Sequence, residues 1–433
     1  MNSQWQSGRR RYRLDNAANI YPAIKSRKRP GLFRVSATLM EPVDSGLLQE
    51  AANATLVRVP SFAVRMRSGL FWHYFSHSDE QIRVQPDVIN PCMGLTPEKD
   101  NGFQIRVRYH DRRIALEVFH SVSDGSGAMV FLKTLVAQYL RLRGVEVPAT
   151  HGVLDCDEAP RPGEVADDFV AFAGQSPPKP RRTSRAYHVS GTPLPFDDID
   201  ITTGTLSVEA IKAESRRFGV SITEYLAGTF LHVLTEIQTG EAPFRLRPVR
   251  LQVPVDLRRF HPSETLRNFA SYVGPTIDPS QGEHTFEEIL SSVHHYMRYE
   301  VTAKHLRSRV AMNVRTERNP LLRALPLFVK NRAINIGYAL SGPAIHTSTL
   351  SNLGMVQLPA AMMPHVETFD FILGPSRVAH VDCAVVGYSD KLKITFSRVI
   401  EEPVVERAFF TFLVRQGVPV KVEAHKEAGC PTV

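Results

Sequence analysis

With 433 residues, 43% of them hydrophobic and 22% charged, the chain has the make-up of a globular protein and the length for two cores. No run approaches the roughly 18 apolar residues of a membrane-spanning helix, so membrane contact is expected to be peripheral at most. The net charge of +8 suits anionic partners, but no basic-aromatic cluster or reading motif for nucleic acid occurs, and we expect no nucleic-acid partner.

Near the N-terminus, Arg9, Arg10, Arg11 and Arg13 are not followed by an apolar stretch. A secretory signal is therefore not expected, and the cytoplasm is the expected location. Phe103, Ile105, Val107 and Tyr109 then alternate with Gln104, Arg106, Arg108 and His110, the period of a half-buried strand. After the polar turn Asp111-Arg112-Arg113, Ile114, Leu116 and Val118 mark the return strand of a hairpin. Parity puts His120 on the face of those three residues and Phe119 on the opposite face. His120-Ser121-Val122-Ser123-Asp124-Gly125 leads into a helix whose apolar face is Val130, Phe131, Leu135, Val136 and Tyr139.

From 151 to 200 the composition turns rich in Pro, Gly and Asp. An acidic part (Asp155, Asp157, Glu158, Glu164, Asp167, Asp168) precedes a basic part (Lys179, Arg181, Arg182, Arg185). We read a linker with one short helix at 165–173, joining lobes at 1–150 and 201–433. Further on, Ser207 opens a helix closed by Gly219, and Ser221-Ile222-Thr223-Glu224 has capping-box spacing. A strand at 249–257 follows, then a second capping box at Thr285-Phe286-Glu287-Glu288. The stretch 321–329, flanked by Arg323, Lys330 and Arg332, is the candidate for peripheral membrane contact. A strand at 345–350, a hairpin of 378–386 with 392–399, a helix from Pro403 and an edge strand at 418–423 complete the chain.

An imidazole where a strand stops and a carboxylate on the turn into a helix make a plausible catalytic pair, because a base needs a neutral ring nitrogen and a fixed ring. Asp124 has two readings at this point: it acts on the imidazole, or it pins the loop through an arginine. Cys92, Cys156, Cys383 and Cys430 match no zinc or redox spacing. His261, His346, His365 and His380 form no metal-ligand pattern, so no metal is expected.

Three stretches carry a resemblance. His120-Ser-Val-Ser-Asp124-Gly125 resembles the His-His-x-x-x-Asp-Gly motif of the coenzyme-A-dependent acyltransferase superfamily, which includes chloramphenicol acetyltransferase, wax ester synthases and peptide-synthetase condensation domains. Val253-Pro-Val-Asp-Leu-Arg258 is similar to its Pro-Val-x-Leu-Arg strand, and Ser351-Asn-Leu-Gly354 to its Ser-Asn-x-x-Gly segment. The runs Tyr12–Ala17 and Arg258–Phe269 look closest to the bacterial alcohol acetyltransferase-like branch, beside the polyketide-associated branch.

The resemblance implies an α/β fold of two chloramphenicol-acetyltransferase-like lobes, with mixed sheets, flanking helices and the active site in the inter-lobe cleft. It implies an O-acyltransferase in which His120 is the general base, Ser351 and Asn352 are candidates to stabilise the oxyanion, and Gly125 forms the turn. Asp124 would be structural, paired with Arg258. Acyl-coenzyme A would be a co-substrate, with no tightly bound cofactor, and a small-molecule alcohol the acceptor. Two alternatives accompany this reading: a condensation-type enzyme fed by an acyl carrier protein, and a non-catalytic scaffold. The scaffold reading rests on Phe119, which stands where the family motif has its first His.

Overall fold

The computed structural model describes residues 11–15, 17–26, 29–174, 184–195, 198–241, 244–341, 345–376 and 379–424. Lys179, Arg181, Arg182 and Cys430 lie outside the described residues.

Strands Ile105–His110 and Arg113–Phe119 form the hairpin read from the sequence, turning at Asp111 with φ +47°. They belong to a five-stranded sheet in the order Val366–Leu373, Leu32–Leu39, Arg113–Phe119, Ile105–His110, Val84–Pro86. Ile105, Val107, Ile114, Leu116 and Val118 enter a first core with residues of helices Ser45–Arg58 and Gly125–Leu142.

The opposite face of this sheet departs from the half-buried reading. Arg34, Arg106, Arg108 and Glu117 are buried there as well. Glu117 accepts from Arg34 (2.6 Å) and Arg106 (2.8 Å), while Arg34 also binds Asp87 and Arg106 binds Asp100. The Cys92 N–H donates to Glu117 (2.9 Å). The charges are tolerated inside because each is paired and hydrogen-bonded, and period-two alternation does not reveal that pairing.

The second sheet runs Ala270–Val273, Val249–Asp256, Ser348–Val356, Val381–Tyr388, Lys391–Arg398, Asp200–Ser207, Lys421–Ala424, with Thr276–Ile277 pairing Val249–Asp256. Ser348–Val356 is parallel to both neighbours, so the sheet is mixed. Residues of helices Ile222–Glu241, Phe286–Glu300 and Val404–Arg415 cover it in a second core. Both capping boxes form: Ser221 and Thr285 exchange hydrogen bonds with Glu224 and Glu288.

Two strands join the lobes. Val381–Tyr388 is buried along its whole length, with Val381, Cys383 and Val385 in the second core and Ala384, Val386 and Tyr388 in the first. Val366–Leu373 leaves the run expected to form one lobe, 201–433, and completes the first sheet against Leu32–Leu39. Its Asp370 also binds Lys393 of the second sheet at 2.6 Å. Strand exchange of this kind is long-range pairing, which a division of the sequence into consecutive lobes misses. The 151–174 part of the linker is also fixed: Glu164 pairs with buried Arg58 (2.6 Å), and Phe169 and Phe172 enter the second core. No helix among the described residues is long and apolar enough to cross a membrane.

Asp382, buried on the strand Val381–Tyr388, accepts the Thr349 N–H (2.8 Å), and burial pushes its carboxyl up to about 7. A raised carboxyl pKa means that the native state holds its proton more firmly than the unfolded chain, so this group lowers stability as pH rises from about 4 to 7. Asp382→Asn keeps the acceptor and removes the ionisation. Denaturant melts are expected to show the variant gaining about 2–4 kcal/mol on wild type between pH 5 and pH 8; parallel pH profiles would contradict this.

Candidate active site

The strand Arg113–Phe119 ends where the chain must turn. The His120 N–H donates to Gly31 O (2.9 Å), and the Val122 N–H to Phe119 O (2.8 Å). The imidazole is stacked on Tyr21, with centroids 4.6 Å apart and planes 8° apart, and meets the edge of Phe33 at 5.0 Å. Its Nδ1 lies 3.2 Å from Asn268 Oδ1.

The amide of Asn268 fixes the tautomer. Its Nδ2 donates to Asp15 Oδ2 (3.3 Å) and to the Ser121 carbonyl (3.4 Å), and that carbonyl is an acceptor only. Oδ1 must then face the ring, so Nδ1 carries a hydrogen, and in the neutral ring Nε2 keeps its lone pair. Burial pulls the His120 pKa below its ordinary value, which favours the neutral ring. Asp15 is fully buried, accepts the Ala18 N–H (2.7 Å) and lies 3.6 Å from Arg267. Burial pushes its carboxyl up to about 7 against the pull of Arg267.

Asp124 does not bond the imidazole. Its Oδ1 caps the helix Gly125–Leu142 by accepting the Gly127 N–H (3.0 Å). Its Oδ2 accepts from Arg258 Nη1 (2.9 Å) and from the Phe269 N–H (2.8 Å). Arg258 is held in turn by Thr265 O, Arg267 O and Asp256. Of the two readings open for this carboxylate, the geometry has the one that pins the loop through an arginine.

The glycines explain how closely the lobes approach. A Cβ on Gly125 would stand 2.5 Å from the Leu353 side chain, and one on Gly127 only 2.2 Å from Leu266 O. Gly127, not singled out from the sequence, is the tighter of the two, because a carbonyl cannot swing aside as a leucine can. Phe119 is fully buried against Gly31, where a Cβ would come within 2.9 Å of its ring. It packs at the position of the family motif's first His.

Ser351 and Asn352 separate in role. Asn352 Oδ1 accepts the Gly354 N–H (2.8 Å) and its Nδ2 donates to Thr223 Oγ1 (3.0 Å). Its amide is spent on the bulge before Met355, where Gly354 has φ +74°. Ser351 is buried on the same strand and its hydroxyl makes no hydrogen bond among the described residues. The Leu353–Gly125 contact sets this segment against the motif turn. Sequence reasoning missed Asn268 and Tyr21 as partners of His120, and Asp15 behind Asn268. Asn268 and Asp15 stood inside runs noted for resemblance alone, and nothing about Tyr21 marks it. Among the described residues, no group of three or more His, Cys, Asp or Glu is placed to hold a metal ion.

No protein-family model matches the chain. No curated protein matches it by sequence. Solved structures do match in fold. Polyketide synthase associated protein 5 from Mycobacterium tuberculosis aligns at 17% identity and TM-score 0.61, over 92% of this chain and 96% of that one. F. graminearum TRI101, solved with coenzyme A and T-2 mycotoxin, aligns at 12% identity and TM-score 0.63, over 92% and 96%. A mutant starter condensation domain of rhizomide synthetase, solved with C8-CoA and Leu-SNAC, aligns at 12% identity and TM-score 0.60, over 94% of each chain. The chain therefore has the two-lobed, chloramphenicol-acetyltransferase-like fold expected from its motifs.

Asp124→Ala strands the Arg258 guanidinium and uncaps the motif helix, so denaturant unfolding is expected to show a loss of about 3–5 kcal/mol; a loss under 1 kcal/mol would contradict the anchoring role. Titration of the His120 ring by NMR is expected to give a midpoint below the ordinary value of about 6.5. Asn268→Asp, which puts a carboxylate at Nδ1, should raise that midpoint by about 1 unit or more.

Proposed function

We propose that the protein is an acyltransferase that moves an acyl group from acyl-coenzyme A to the hydroxyl of a small-molecule alcohol, with His120 as general base. The observation that carries this reading is the neutral imidazole at the lobe seam, with Nδ1 bound to Asn268 and Nε2 left as the acceptor. Solved proteins of the same fold that hold coenzyme A or an acyl-coenzyme A add support.

The residues then divide the work. His120 Nε2 takes the proton of the acceptor hydroxyl as its oxygen attacks the thioester carbonyl. The tetrahedral oxyanion needs a donor at hand, and the unspent hydroxyl of Ser351 is the better candidate of the sequence pair, since Asn352 is committed to Thr223 and Gly354. When the intermediate collapses, the C–S bond breaks, and the imidazolium returns its proton to the departing thiolate. Asn268 stabilises the imidazolium through its Oδ1, while Asp124 and Arg258 keep the turn in place. Acyl-coenzyme A acts as co-substrate, and no step asks for a resident cofactor or metal.

A carrier-protein thioester would serve the same chemistry, and the likeness to a condensation domain favours keeping that donor as a second reading. Phe119 weighs little for a scaffold without catalysis, because its side chain is packing. In a thiol-release assay with acetyl-coenzyme A, release is expected to depend on added alcohol and to fall by about 10²–10⁴ in His120→Ala. Unchanged turnover in that variant would overturn the base assignment. Faster turnover with acylated carrier protein than with acyl-coenzyme A would select the second donor.

A further inference from the structure

Arg267, the neighbour of Asp15, lines a cavity of about 450 Å³ that no step above uses. Five arginines line it, Arg11, Arg13, Arg267, Arg318 and Arg323, against two carboxylates, Asp167 and Glu317. Burial pushes the Asp167 carboxyl up, which weakens it as a counter-charge. Arg267 is engaged by Asp15 (3.6 Å) and by Arg13 O (2.6 Å). The guanidinium of Arg11 lies 5.1 Å from the Tyr74 ring centroid and that of Arg13 lies 6.0 Å from the Trp72 ring centroid, and neither pairs with a carboxylate among the described residues. Arg318 and Arg323 are exposed and pair with no carboxylate among the described residues. Leu14, Val165, Val170 and Val314 supply an apolar wall.

Like charges gathered round one cavity repel each other unless an anion sits among them. Guanidinium groups present paired N–H donors at the spacing of phosphate oxygens, which makes an arginine cluster a phosphate site in preference to a site for an apolar ligand. We propose that this cavity binds a phosphate-bearing group. Two carriers share that chemistry: the nucleotide of the thioester donor and a phosphorylated acceptor. The choice between them rests on the transferase reading, whereas the anion site does not. The cavity is joined to the base through residues already described. Arg267 lines it and touches Asp15, and Asp15 accepts from the amide that holds His120.

The test is calorimetric titration of the full chain with inorganic pyrophosphate at low salt. Wild type is expected to bind it, and Arg318→Glu with Arg323→Glu to bind at least tenfold more weakly while melting at the wild-type temperature. Arg407→Glu with Arg415→Glu, on the exposed face of the helix Val404–Arg415, makes the same change in net charge and is expected to bind as wild type does. No binding by wild type, or equal loss in the control, overturns the proposal. Competition separates the carriers. Displacement of pyrophosphate by coenzyme A assigns the site to the donor, and independent binding of the two assigns it to a phosphorylated acceptor. Should pyrophosphate bind while His120→Ala leaves turnover unchanged, the anion site stands and the base assignment falls.

Discussion

The two oxygens of Asp124 are the constraint on which the site depends. One caps the motif helix at Gly127, and the other takes Arg258 and the Phe269 N–H from the second lobe. A single carboxylate thus fixes the turn after His120 and the segment that carries Asn268, one residue before Phe269. Because its lone pairs are committed to these donors, the imidazole must find its partner elsewhere, and the residue that supplies it sits on the segment Asp124 anchors. Helix cap, lobe seam and ring tautomer are consequences of one buried ion pair. Such a pair is worth little against an apolar substitute yet costs several kcal/mol when only half of it is removed.

The wider fold ties the two lobes together around this arrangement. Val381–Tyr388 divides its side chains between two cores, and Val366–Leu373 crosses from one lobe to complete the other's sheet. On the outer face of the first sheet, the Arg34–Glu117–Arg106 network replaces solvent with paired charge. The strand that leads into His120 is therefore packed on both faces, and an imidazole fixed in this way spends little free energy on finding its orientation.

Much of this could be read from the chain, and the limits have physical causes. Periodicity gave the hairpin, the motif helix and both capping boxes, because these depend on neighbours a few residues apart. The Asp124–Arg258 pair entered only through resemblance, and its partners are 134 residues apart. Alternation could not show that Arg106 and Glu117 are buried, since a charged residue looks the same whether it meets water or an opposite charge. Strand exchange by 366–373 is invisible to a division of the sequence into consecutive lobes, because it pairs residues more than 300 positions apart. Asn268 and Asp15 stood in plain view, but nothing in their spacing links them to His120. Ser351 and Asn352 looked equivalent until the hydrogen bonds to Thr223 and Gly354 set them apart.

The account turns on the protonation state of one ring. Nitrogen-15 NMR of the His120 imidazole at neutral pH reads it directly, because the two ring nitrogens have separate shifts when one is protonated. The hydrogen bonds of Asn268 put a hydrogen on Nδ1, and burial favours the neutral ring, which leaves Nε2 bare. A hydrogen on Nε2, or a doubly protonated ring at that pH, would contradict the base and the structure that holds it.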